Sequence, residues 1–315
     1  MTEAAPYSNL TPDLVLDAVA ACDLWPDGRL LALNSYENRV WQVGIEDNAP
    51  VIAKFYRPWR WSDAAILEEH AFARELADDE VPMVAPLVFD GRSLLQHGGY
   101  RYALTPRRGG RAPSLESREQ LEWLGRLLAR LHAVGARRPF AQRGTLDRAT
   151  LIAQPMQAVL TSSLLPAHLH AAYHNAAQRL DAAVATRLAV VGPVRTLRLH
   201  GDCHPGNILW TDAGPHFVDL DDARMGPAVQ DLWMLASDDA AMRALLDGYT
   251  QLRDFDHAEL ALVPALRAMR QLHYAGWIAQ RWHDPAFPAA FPFAAEARWW
   301  DEHIADLHEL ADALA

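Results

Sequence analysis

Cysteine is nearly absent from this sequence: Cys22 and Cys203 are the only two in 315 residues, too few for a disulfide framework. The first ten residues, MTEAAPYSNL, hold neither a basic nor an apolar block, so no export signal is expected. Nowhere does the chain reach the ~20 consecutive apolar residues that a membrane helix needs. A reducing compartment, the cytoplasm, and no membrane partner are therefore expected. Positive charge is short as well. A formal net charge of −11 argues against non-specific nucleic-acid binding, which relies on Lys and Arg at phosphates. The densest basic spots, RRGGR at 107–111 and ARR at 136–138, read as solvated surface. Fourteen histidines include no HExxH and no paired Cys/His spacing, which leaves no case for zinc. Internal repeats, low-complexity linkers and a GxGxxG loop are also missing. A monomer is the default expectation.

What the chain does have is apolar residues, half of the total, enough for a large core. The first hundred residues read as an α+β unit. Residues 11–24 have helical periodicity, with Thr11 as N-cap and Pro12 at the first helical position. Strand-like runs follow at 29–33, 39–45 and 50–56, separated by the turn-rich NSYEN and EDNA. Ser62 can cap a helix ending near Asp78, and two further apolar runs, 84–89 and 100–105, look extended. From there the pattern is mostly helical. Residues 118–135 put Leu121, Leu124, Leu127, Leu128 and Leu131 on one face of a helix ended by Gly135. Ala-rich stretches from 148 to 190 read as helices, and helices resume from Val229 to the end. The change of character near 105–112 sets the expected domains: 1–106, and 107–315.

Two segments interrupt the helical part and carry the chemistry. HGDCHPGN, residues 200–207, lies between the apolar TLRL and ILW; twelve positions after Asn207 comes the first acid of FVDLDDA, Asp219. A carboxylate, an amide five positions on and a second carboxylate beyond a hairpin-length interval form the layout of a phosphotransferase site. Asp202, on a turn after a strand, can accept the proton of an attacking hydroxyl. Asn207 and Asp219 offer hard oxygen ligands suited to Mg2+. His200 and Asp231 read as structural, the latter as a cap or as a brace for the catalytic loop. In an extended segment Asp221 lies on the same side as Asp219, a weaker candidate for a second ion.

Lys54 sits in the apolar strand VIAKFY, and lysine is rarely buried without a partner. Glu68 and Glu69 follow in the next helix, pointing ~100° apart, so only one can pair with it. Glu69 is favoured because it shares a face with Phe72 and Leu76. A Lys–Glu pair of this kind fixes the ammonium against nucleotide phosphates. NSYEN, between the first two strands, stands where a phosphate-covering loop is expected, with Ser35 and backbone N–H groups as donors.

These segments together resemble the aminoglycoside phosphotransferase and choline kinase branch of the protein-kinase-like fold. More narrowly, NSYENRV, KFYRP, WSDAAILEEH, LHGDCHPGNILW, FVDLDDAR, GPAVQDLWM, LRAMR and DPAFP resemble the bacterial stress response kinase A family. The resemblance spans nearly the whole chain. It implies a bilobal α+β fold: an N-terminal antiparallel sheet with a helix, then a larger, mainly helical lobe. It implies an ATP- and Mg2+-dependent kinase that phosphorylates Ser and Thr on proteins, itself included, in stress survival and cell-death protection. Carried onto this chain, Asp202 is the proton acceptor, Asn207 and Asp219 hold Mg2+, Asp219 is also essential to transfer, and Ser35, Lys54 and Glu69 serve ATP. HGD replaces HRD, and no DFG or APE follows, so regulation through a phosphorylated activation loop is not expected. Two competing readings share the skeleton: a small-molecule hydroxyl kinase (aminoglycoside-, choline- or homoserine kinase-like) and a nucleotide-sensing pseudokinase.

Overall fold

Strand register puts Val51, Ala53 and Phe55 of one strand on the same face, and all three are buried. That alternation orients the first sheet. The structure, a computed structural model, describes residues 5–314. The first four residues, part of the amino-terminal stretch in which no export signal is expected, and Ala315 lie outside them. The chain forms two compact units, one of residues 1–144 with 197–255, the other of 145–196 with 256–315.

In the first unit, α1 (Pro12–Ala20) starts at Thr11, whose side chain accepts from the Leu14 N–H. β1 (Pro26–Leu33), β2 (Arg39–Ile45), β3 (Asn48–Phe55), β4 (Leu95–His97) and β5 (Tyr100–Pro106) form an antiparallel sheet in the order β1-β2-β3-β5-β4. One face packs Val43, Ile45, Val51, Ala53, Phe55, Tyr102 and Leu104 with Val15, Ala18 and Val19 of α1. On the other face, α2 (Asp63–Asp78), capped by Ser62, covers the β5 side, where Ile66 packs with Tyr56 and Ala103.

The run 84–89 is not a strand. Pro82 and Pro86 lack the N–H groups a ladder needs, and the segment crosses as an extended tie instead. Val84 donates to Phe217 O at 3.1 Å and Leu87 to Leu104 O at 2.7 Å. The short β4, further on, takes the sheet edge.

α3 (Arg118–Gly135) and α7 (Asp239–Tyr249) approach backbone to backbone. A Cβ on Gly125 would lie 2.0 Å from Leu245 O, and one on Gly248 2.0 Å from Glu122 O. The C-terminus of α3 is met by buried Arg198, which donates to Val134 O at 2.9 Å and pairs with Glu75 of α2 at 2.7 Å. Arg198 lies in β6 (Leu197–Arg198), paired with β9 (Met225–Gly226); β7 (Ile208–Thr211) and β8 (Gly214–Phe217) form a hairpin, and α6 (Val229–Trp233) follows.

The second unit is helical: α4 (Gln154–Thr161), α5 (His170–Val191), α8 (Val263–Arg281), α9 (Ala286–Ala290) and α10 (Ala297–Leu314). α4 lies on α8, with Pro155 against Gly276. Tyr173 of α5 meets Trp300 and His303 of α10 in ring contacts at 6.0 and 6.1 Å. Among the described residues no helix is long and apolar enough to cross a membrane.

Because neither Gly125 nor Gly248 leaves room for a methyl group, Gly125→Ala and Gly248→Ala should each destabilise the chain by about 1–3 kcal/mol, read as a lower urea midpoint. Burial depresses His70 and His303 from 6.5 to about 4. In both cases the unfolded chain binds the proton more readily. Stability should therefore be complete above pH 6.5 and fall as pH drops towards 4, by up to about 3 kcal/mol per histidine. His303→Phe should make the pH dependence of the urea midpoint shallower.

Candidate active site

β3 delivers Lys54 to the sheet face opposite α1, and three carboxylates surround its ammonium. Nζ lies 2.9 Å from Asp219 Oδ1, 3.3 Å from Asp221 Oδ1 and 3.5 Å from Glu69 Oε1. Burial alone would depress the lysine, but the charges of Asp219 and Glu69 outweigh it and hold the ammonium above the ordinary lysine range. Of the two adjacent glutamates on α2, Glu69 is the one turned inward. Glu68 accepts instead from the backbone N–H groups of Ala141 and Gln142, both at 2.7 Å.

The loop after β6 is fixed from behind by Asp231 of α6. Its buried carboxylate accepts from the N–H groups of His200 at 2.8 Å and Gly201 at 2.9 Å, with His132 Nε2 at 3.0 Å. His200 Nε2 donates to Val218 O at 3.0 Å. Gly201 has φ +86°, and a Cβ there would fall 2.1 Å from Asp222 O. Glycine is thus required twice, for the left-handed backbone and for the close approach to the acidic loop. Asp202, next in line, projects from the turn, and Asn207 Nδ2 donates to Asp202 O at 2.9 Å and approaches its Oδ2 at 3.4 Å.

The interval between Asn207 and Asp219 is the β7–β8 hairpin. Its open end is closed by Val218 N–H donating to Asn207 O at 3.1 Å, so Asp219 emerges beside Asn207. The segment is not extended as expected. Asp219 has φ +64°, and residues 220–222 form a single 3-10 turn. The turn buries Asp221, to 4 % exposure, and still returns its carboxylate to Lys54. Ser35 is half-buried in the connection between β1 and β2 and makes no hydrogen bond to Lys54, Glu69, Asp202, Asn207 or Asp219.

Two arginines belong to this group that the sequence pattern does not single out. Arg60 pairs with Asp221 and lies 2.6 Å from Asp222 Oδ1. Arg143, fully buried, donates to Ala65 O and Ala223 O at 3.0 and 2.8 Å and lies 3.4 Å from Glu69. With 28 arginines in the chain, no spacing marks these two. Lysine is different: Lys54 is the only one in the sequence.

On the Lys54 face, strand register aligns Ile52 with Gln42 and Leu31, and Lys54 with Val40 and Leu33. Leu31 and Leu33 are 56 % and 36 % exposed, so the β1–β2 end of this face is an open apolar strip beside a cation. Such a strip suits a flat aromatic base, and the cation suits phosphate.

Residues 29–263 match the model of the phosphotransferase enzyme family. The chain is 45% identical over 302 residues to serine/threonine protein kinase RdoA of Salmonella typhimurium, covering 94% of this chain and 91% of that one. It is 43% identical over 316 residues to stress response kinase A of Escherichia coli K12, covering 99% and 95%. Among solved structures, an amicoumacin kinase in complex with AMP-PNP, Ca2+ and its ligand has a TM-score of 0.74 at 19% identity, over 96% of this chain and 93% of that one. A microcompartment-associated aminopropanol kinase gives 0.71 at 20%, over 95% and 96%. The fold is the kinase-like one, with an N-terminal antiparallel sheet and a mainly helical remainder. The activity that accompanies these relationships is phosphoryl transfer to an alcohol group. By span and by identity, the chain belongs to the phosphotransferase enzyme family and, within it, to the stress response kinase A group.

Proposed function

We propose that this chain is a cytoplasmic serine/threonine protein kinase that uses ATP and Mg2+, phosphorylates itself as well as other proteins, and serves stress response and cell-death protection. In this reading residues 1–106 bind the nucleotide and 107–315 carry catalysis and the metal. The observation that carries it is the convergence of one lysine, on β3, with the acids of the loop after β8, beside the Asp202–Asn207 turn. The names of relatives at 43–45% identity support protein hydroxyls as acceptors.

The residues fit Mg2+. Asn207 has its Nδ2 committed to Asp202, so Oδ1 is the end left to coordinate. Asp219 has one oxygen on Lys54 and a side chain 47% exposed. Among the described residues no cluster of three or more His, Cys, Asp or Glu could hold a metal. An ion held by these two oxygens would complete its shell with phosphates and water. When bound, the ion neutralises charge on the β- and γ-phosphates.

The chain's own residues do the rest. Leu31, Leu33, Val40 and Ile52 receive the base. Lys54 holds phosphate oxygens and Glu69 steadies it, while Ser35 and the backbone of 34–38 face the phosphates. Asp202 orients the acceptor hydroxyl and takes its proton at the carboxylate.

With γ-labelled ATP the wild-type chain should label itself. Asp202→Ala should cut turnover ~10²–10⁴-fold while nucleotide binding survives. Absence of label on any protein, alongside ADP release stimulated by amino alcohols or sugars, would transfer the assignment to a small-molecule kinase. A second check uses the composition. An amine-reactive acyl-phosphate derivative of ATP should modify one side chain, Lys54, and excess Mg2+–ATP should suppress the modification. Labelling indifferent to ATP would count against the site.

A further inference from the structure

We propose that Arg60 is a positioning residue that ties the loop before β2 to the acidic loop 219–222, so that the phosphate-facing and cation-facing parts of the site form together. The inference rests on the reading that this site takes Mg2+–ATP. Arg60 lies in the segment after β3, its side chain only 12% exposed. Nη1 bonds the Asp221 carboxylate, Nη2 lies 2.6 Å from Asp222 Oδ1, and Nε lies 3.7 Å from Glu37 Oε1. One planar guanidinium thus reaches three carboxylates from two loops, Glu37 lying 184 and 185 positions before Asp221 and Asp222. Arg57 prepares the first loop: its Nε donates to Glu37 O at 2.9 Å and its Nη2 to Tyr36 O at 3.1 Å, and with Nε 3.0 Å from Glu37 Oε1 it shares that carboxylate with Arg60. Arg60 carries the connection across to the acids beside Asp219.

Two features argue that this is not packing. Burying an ion pair contributes little stability compared with apolar residues of the same volume, yet the Asp221 side chain is 5% exposed, bonded to Arg60 and ion-paired with Lys54 at 3.3 Å. The backbone is also strained to make it. Trp59 has φ +65°, a conformation costly for a bulky residue, and the residue is 77% exposed. No burial of Trp59 repays that kink. What the kink achieves is to turn residue 60 inward.

The test is binding of a fluorescent ATP analogue to the full chain, with and without Mg2+. Arg60→Ala should weaken Mg2+-supported binding about 10–100-fold, as loss of an outer partner of a metal site does. Arg60→Lys, which keeps the charge and loses the fork, should recover only part of it. A merely structural role would lower the melting temperature and leave the Mg2+-dependent gain intact. A folded Arg60→Ala chain with wild-type affinity for the Mg2+-bound analogue overturns the proposal. Should that variant not fold, Glu37→Gln releases the other end of the tie: weaker binding supports the proposal and wild-type binding overturns it. A wild-type chain that binds no Mg2+–nucleotide sinks the parent reading and this proposal with it, and does so before any substitution is made.

Discussion

The ammonium of Lys54 among the carboxylates of Glu69, Asp219 and Asp221 is the interaction on which the candidate site depends. Each side needs the other. Three acids gathered so closely would repel without a cation, and burial would strip the proton from an unaccompanied lysine. The pairing also draws together the sheet, α2 and the loop after β8. Neighbouring arginines extend the alternation of charge, Arg60 on the Asp221 side and Arg143 on the Glu69 side.

That this cation is a lysine is itself informative. In a chain with 28 arginines and one lysine, arginine evidently meets nearly every need for positive charge. At position 54 it does not. A planar fork bonds in its own plane, whereas a compact ammonium with three rotatable donors can face carboxylates arriving from several directions. The same property lets it change partners. On the proposed reading, a phosphate oxygen takes the place of Asp219 at Nζ, and the carboxylate so released is the one beside Asn207. A guanidinium locked in two parallel bonds would give up that partner less readily.

Much of this was legible in the chain and some was not, for separable reasons. α1, β1, β2, β3, α2 and α3 follow from periodicity, and at α1 and α2 from caps as well, because Thr11 and Ser62 supply the oxygen that a helix start requires. The 84–89 run misleads because Leu87 and Phe89 pack against the core while Pro86 cannot donate to a ladder. The hairpin between Asn207 and Asp219 is readable as an interval. The 3-10 turn at 220–222 is not, since it depends on Gly201 meeting the backbone of Asp222. Arg60 and Arg143 are illegible for a different reason: what distinguishes them is contact with residues about 80 to 160 positions away. The single lysine, by contrast, is visible in composition alone and marks the site more sharply than any strand pattern around it.

The backbone at the site turns left-handed where the side chains must converge. Asp219, Trp59 and Gly201 all have positive φ, at +64°, +65° and +86°. Glycine accepts this freely and aspartate tolerates it, whereas for a bulky Trp it is costly. The two that are not glycine hold their conformations because the surroundings over-determine them: Asp219 through Lys54 and the closed hairpin, Trp59 through the fork of Arg60 on two successive acids. Burial accounts for neither conformation, since the Asp219 side chain is 47% exposed and Trp59 is 77% exposed. The turn at Asp219 does put a carboxylate with an open oxygen next to an amide whose nitrogen is already bonded. A relaxed, extended segment would have aimed Asp219 and Asp221 in the same direction and presented two equivalent acids. The kinked one separates them, burying Asp221 between Lys54 and Arg60 and leaving Asp219 half-exposed beside Asn207.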